Sequence, residues 1–196
     1  MKFKKFPLVE IVLSVVGIFI SVAAFVLIQI AGKVNSASTG ATPLAIIELV
    51  LFVLMVAALT AQKVFFAKIV SIVSLAILMF STFVTAIVCS VEFQSYAVSW
   101  DTIAFLTISI LALVSVVLFF IYFLIGKKDT LKKLSSILNF FSLGFFALFA
   151  ILVIISCFAG IHKTTPVYGF EFATLLINVC VMLGMLFVLQ GNLENE

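Results

Sequence analysis

From residue 7 onward the chain passes through six stretches in which apolar residues follow one another almost without interruption: 7 to 30, 43 to 61, 66 to 90, 102 to 125, 134 to 159 and 170 to 190. A helix needs about 20 mainly apolar residues to cross a hydrocarbon core, and each stretch supplies roughly that length. Helix is the economical solution, because an isolated strand would leave its backbone N–H and C=O groups unpaired in lipid. The pattern therefore predicts an all-α integral membrane protein, with residues 1–196 forming a single domain of six transmembrane helices in three outward-opening hairpins.

Within two of these stretches the polar and small residues are not scattered. In the third, Ala67, Ser71, Ser74, Leu78, Ser81, Thr85 and Cys89 recur at steps of four or three, which puts them on one helical face. In the first, Glu10, Ser14, Gly17, Ser21 and Ala24 form the same kind of stripe. In lipid such a stripe is expected to be a packing face, where small residues let helices approach closely and hydroxyls bond across. Helices one and three are therefore expected near the bundle centre. The leucine- and phenylalanine-rich fourth helix is expected to face lipid more, and the 23 phenylalanines are read as lipid-facing bulk.

Composition sharpens the membrane assignment. Hydrophobic residues make up 65% and charged residues 10% of the chain, and the mean hydropathy is +1.44. Soluble domains carry about 25% charged residues. The opening M-K-F-K-K-F resembles the start of a signal peptide, but the apolar run that follows, Leu8 to Ala31, exceeds the roughly 7–15 residues of a signal core. The first stretch is thus expected to remain as a helix.

All eleven basic residues are lysines, and charge orients the threading. Lys2, Lys4, Lys5, Lys63, Lys68, Lys127, Lys128, Lys132 and Lys133 fall on one side of a six-helix chain, and only Lys33 and Lys163 on the other. Under the positive-inside rule the lysine-rich side, including the loop G-K-K-D-T-L-K-K at 126–133, is cytoplasmic, as are both termini of this multi-pass cell-membrane protein. The basic balance reports orientation and gives no support for nucleic-acid binding.

Ionisable and polar residues at membrane depth are the candidates for chemistry. Glu48 and Glu171 lie near the outer ends of the second and sixth stretches, and Asp101 opens the fourth. They read either as acids favoured by the dipole of a helix start or as outer carboxylates that receive a cationic solute. Asn178 is seven residues beyond Glu171, on nearly the same face and deeper. It is a candidate for touching a solute, although a buried asparagine in a membrane helix more often bonds a neighbouring helix. Tyr96, Trp100 and Tyr168 collect on the outer side, either as an aromatic belt at the headgroups or, with His162 and the acids, as the lining of an outward-facing pocket.

Catalysis finds no foothold. The single histidine has no cysteine or second histidine at metal-ligand spacing, so neither metal nor cofactor is expected. The hydrolase elbow G-x-S-x-G and the nucleotide loops G-x-x-x-x-G-K-[ST] and G-x-G-x-x-G are missing from the sequence. The chain is not expected to be an enzyme.

In size, six-helix threading and outward-opening loops, the chain resembles the substrate-capture components of energy-coupling-factor vitamin transporters. It departs from them in the first helix, where S-V-A-A-F stands in place of alanines spaced four apart, and in having no arginine. The resemblance implies a small-solute binding and transport component. Besides the lipid bilayer, its partner would be another membrane subunit or a cytoplasmic ATPase-containing protein. The alternative is a non-transporting accessory, assembly or immunity protein of the membrane, in which the same residues would face headgroups or another subunit.

Overall fold

The computed structural model describes residues 3–34, 41–95, 100–125 and 166–193, with isolated positions between 137 and 151. These residues are 93% helical and contain no strand. Five helices are delimited: α1 (Leu8–Val34), α2 (Ala41–Thr60), α3 (Val64–Ser95), α4 (Trp100–Ile125) and α5 (Pro166–Leu193), the last corresponding to the sixth apolar stretch. Four of them contain windows long and apolar enough to cross a membrane, at Leu8–Leu27, Pro43–Thr60, Val64–Val84 and Leu106–Leu124. The apolar part of α5, Ile177–Leu193, is shorter.

The helices outrun the apolar stretches. α3 continues to Ser95 rather than ending at residue 90, and α5 begins at Pro166 rather than 170. Intrahelical hydrogen bonding continues past the last apolar residue, and proline suits the first helical position, where its missing N–H is not needed.

The fifth stretch, 134–159, lies mostly outside the described residues. Its described positions, Ile137, Phe140, Phe141, Gly144, Ala147, Leu148 and Ile151, are helical and exposed. The lysine loop at 126–133 and the histidine His162 are also outside the described residues.

The chain divides into two compact units, one of Met1–Ser74 with His162–Glu196, the other of Leu75–Ile161. In the first, α1 packs against both α2 and α5, which approach each other little along their backbones. The physical reason lies in the α1 stripe. Among the described side chains of α1, the buried ones are Glu10, Ser14, Gly17, Ser21 and Ala24. Two of these small residues meet large, fully buried ones: Gly17 faces Phe52 on α2 and Ser14 faces Met185 on α5. At Gly17 there is no room for a side chain. A β-carbon there would lie 2.5 Å from Phe52 Cζ and 2.7 Å from Cδ1, so the ring occupies the space that glycine leaves open.

α2 ends in a Schellman turn. Lys63 N–H donates to Ala58 O at 3.0 Å and Gln62 N–H to Leu59 O at 3.1 Å, and Gln62 takes φ 51°. Glycine usually fills that left-handed position; here a glutamine does, and α3 starts two residues later.

Along α3, Ala67, Ser71, Ser74, Leu78 and Ser81 are buried, while the side chains of Thr85 and Cys89 are outside the described residues. Ser71 and Ser74 do not bond across to another helix. Each donates at 2.7 Å to a carbonyl of its own helix, Ala67 O and Val70 O respectively. In an apolar face the carbonyl four residues back is the nearest acceptor.

Two expectations about burial are corrected. With 39% of its apolar window buried, α4 is more exposed than α3, at 44%, but less exposed than α1, at 28%, so the expectation holds against α3 and fails against α1. The small residues Ser109, Ala112 and Ser115 give α4 a packing face of its own, joined by Ile108, Val116, Phe119 and Tyr122. The phenylalanines are divided too. Phe19, Phe65 and Phe80 are exposed, as membrane-facing bulk should be, but Phe52 and Phe119 are core residues. Hydrophobicity alone does not separate lipid-facing from core positions, because both environments are apolar.

Candidate functional site

Polar side chains in the first unit occur at successive levels along α1. At its N-terminal end, Glu10 is buried in the first helical turn, where an acid is favoured by the helix dipole. Asn192, near the end of α5, donates from Nδ2 to Glu10 Oε1 at 2.9 Å and to Lys5 O at 3.2 Å, and its Oδ1 accepts from Lys5 N–H at 3.1 Å. One amide thus ties the chain entering α1 to the chain leaving α5. One turn further along α1, Ser14 Oγ donates to Glu10 O at 2.8 Å and lies against Met185 Sδ.

These contacts set the antiparallel register of the three helices. Ser14 meets Met185, so two turns further along α1 and two turns back along α5 Ser21 stands level with Asn178. Gly17 meets Phe52, so one turn further along α1 and one turn back along α2 Ser21 also stands level with Glu48. Glu48 and Asn178 are in direct contact: Asn178 Nδ2 donates to Glu48 Oε2 at 2.7 Å. Three helices therefore bring a hydroxyl, a carboxyl and an amide to one level inside the unit.

What distinguishes this level is unused bonding capacity. Ser21 is fully buried, and Glu48 and Asn178 are each 2% exposed. Glu48 Oε1, Asn178 Oδ1 and Ser21 Oγ have no hydrogen-bond partner. Ser14, Ser71 and Ser74 all use their hydroxyls on the carbonyl four residues back; Ser21 does not. A buried polar atom left unpaired costs about 1–3 kcal/mol, so three at one level form an expensive arrangement for a purely structural contact.

The position of Glu48 also corrects the reading of it as an acid at a helix start. It lies a full two turns inside α2, whose first turn contains no acid, and its partner comes from another helix. Glu171 is likewise beyond the first turn of α5, because that helix begins at Pro166. Its side chain and that of Tyr168 are outside the described residues, so only their place on α5, toward its N-terminal end from Asn178, is given. Trp100 and Asp101 open α4 in the other unit, again without described side chains.

The sequence patterns placed Ser21 among packing residues and passed over Asn192. For Ser21 the available signal was its place two turns from Ser14 and three from Glu10 on one stripe. Asn192 carried none, since a polar residue near a helix end is ordinary. Among the described residues no group of three His, Cys, Asp or Glu side chains could hold a metal ion. No protein-family model, curated protein or solved structure matches the chain.

Proposed function

We propose that the chain is a membrane-embedded component that binds a small solute and takes part in moving it across the cell membrane. The carrying observation is the Ser21, Glu48 and Asn178 level, where the register of three helices sets three buried oxygens without partners at one height. An acid at membrane depth persists where water, a counter-charge or a ligand offsets its desolvation. Asn178 Oδ1 is a pure acceptor, and so is Glu48 Oε1 when its carboxyl is ionised, so the matching solute is a cation or carries hydrogen-bond donors. The reading includes six spans with both termini cytoplasmic. The lysine distribution supports that orientation, and the Lys5–Asn192 contact supports termini on one side.

Transport driven by ATP would require a partner, because the sequence contains no nucleotide loop. The test is a thermal-unfolding screen of the detergent-purified protein against small amines and polyols, run beside Glu48→Gln and Asn178→Ala. A solute that raises the parent's midpoint and leaves both variants unmoved supports the proposal. If amines, polyols and monovalent-cation salts all leave the parent unmoved, the proposal fails and an accessory or assembly role becomes the better account.

A further inference from the structure

We infer that the level formed by Ser21, Glu48 and Asn178 is a site for a small monovalent cation, with Na⁺ the natural probe. The inference rests on the solute-binding reading above and narrows it to an ion that occupies or couples to that site.

The donor set argues for a hard cation. Every unpartnered atom is an oxygen: one from a carboxyl, one from an amide carbonyl and one from a hydroxyl. Carboxylate, carbonyl and hydroxyl oxygens suit alkali and alkaline-earth ions rather than the softer metals that select sulfur or imidazole. Charge then separates the two groups of hard ions. Glu48 is the one acid among the three, and its hydrogen-bond partner is the neutral amide of Asn178, so a single positive charge balances the site when the carboxyl is ionised. Divalent ions take six to eight oxygens and usually several carboxylates.

Burial sets the size. All three side chains are at most 2% exposed, which favours a compact ion over an organic ammonium with a carbon body. Ser21 Oγ makes no bond to the carbonyl four residues back, and both of its lone pairs are available to a cation. The existing bond from Asn178 Nδ2 to Glu48 Oε2 holds the carboxyl and amide in place. Their other oxygens, Oε1 and Oδ1, remain open to the ion.

Dicyclohexylcarbodiimide, which modifies carboxyl groups in apolar surroundings, reads occupancy of Glu48 directly. The full-length protein in detergent is treated with it in NaCl, KCl or choline chloride at equal ionic strength, and the adduct is mapped by mass spectrometry. The expected result is several-fold slower modification of Glu48 in NaCl than in choline chloride. Ser21→Ala and Asn178→Ala should each raise the half-protecting Na⁺ concentration about tenfold, as loss of one ligand does. Protection by K⁺ as well as Na⁺ still supports a monovalent-cation site.

Equal modification in NaCl and choline chloride, or modification that responds to pH alone, overturns the inference. If Glu48 resists the reagent, the unfolding midpoint replaces it: NaCl should raise the parent's midpoint above that in choline chloride and leave Glu48→Gln unmoved, and equal midpoints overturn the inference. The outcomes also separate the two readings. A flat Na⁺ response beside a positive amine or polyol screen ends the inference and leaves the solute-binding reading standing. A Na⁺ response beside a negative organic screen supports the inference and restricts the transported solute to the ion itself.

Discussion

Single atoms decide most at Gly17 and Ser21, in opposite senses. At Gly17 the Phe52 ring fills the space of the missing side chain, so Gly17→Ala should lower stability by about 1–3 kcal/mol, the usual cost of overpacking. The measurement is thermal unfolding in detergent, and adding Phe52→Leu should recover part of the loss. A variant that melts with the parent would show that α1 and α2 are not held at this point. Ser21 is the reverse case. Its hydroxyl is buried without a partner, so Ser21→Ala in choline chloride should leave the midpoint unchanged or raise it. Ser14→Ala, which removes a satisfied hydroxyl, should lower it. A clear fall for Ser21→Ala would mean that the hydroxyl is stabilising without any ligand.

The elements show how much a period can carry and where it stops. On α1 the steps of four and three coincide with the buried positions, because a helix in lipid buries what is small and polar and turns its valines, isoleucines and phenylalanines outward. On α4 the same small residues are present at Ser109, Ala112 and Ser115, but the leucines and phenylalanines around them mask the stripe. The turn between α2 and α3 contains no glycine or proline to announce it, yet it closes with a left-handed residue. Gln62→Gly should relieve that conformation and raise the unfolding midpoint, by on the order of 1 kcal/mol. An unchanged or lower midpoint would mean that the Gln62 side chain makes up for its backbone. On α3, Ser74→Leu should reduce folded yield, since Ser74 is 1% exposed and has no room for a larger side chain. A parent-like yield would show that this face is loosely packed.

For the whole molecule, orientation rests on lysines and is open to a direct check. In a chain with its native cysteines replaced, Asn35→Cys and Thr165→Cys should react with an impermeant thiol reagent added outside intact cells, whereas Thr130→Cys should not. The reverse pattern would turn the protein over in the membrane. It would also move the acids expected on the outer side to the cytoplasm, and with them the side from which the proposed solute would reach Asn178.

The sequence alone determines the medium and the secondary structure, since a chain with 65% hydrophobic residues and long uncharged stretches can satisfy its backbone in lipid only as helices. It also marks the packing stripe of α1, because periodicity is a local property. Which polar groups meet was decided by tertiary structure. Nothing in the spacing of Ser21, Glu48 and Asn178 along the chain relates them; the register set by Gly17 against Phe52 and Ser14 against Met185 does. Sequence reasoning grouped Glu48 with acids at helix starts because it measures depth along one helix. A carboxyl's surroundings are made by its neighbours, and for Glu48 those come from a helix 130 residues away.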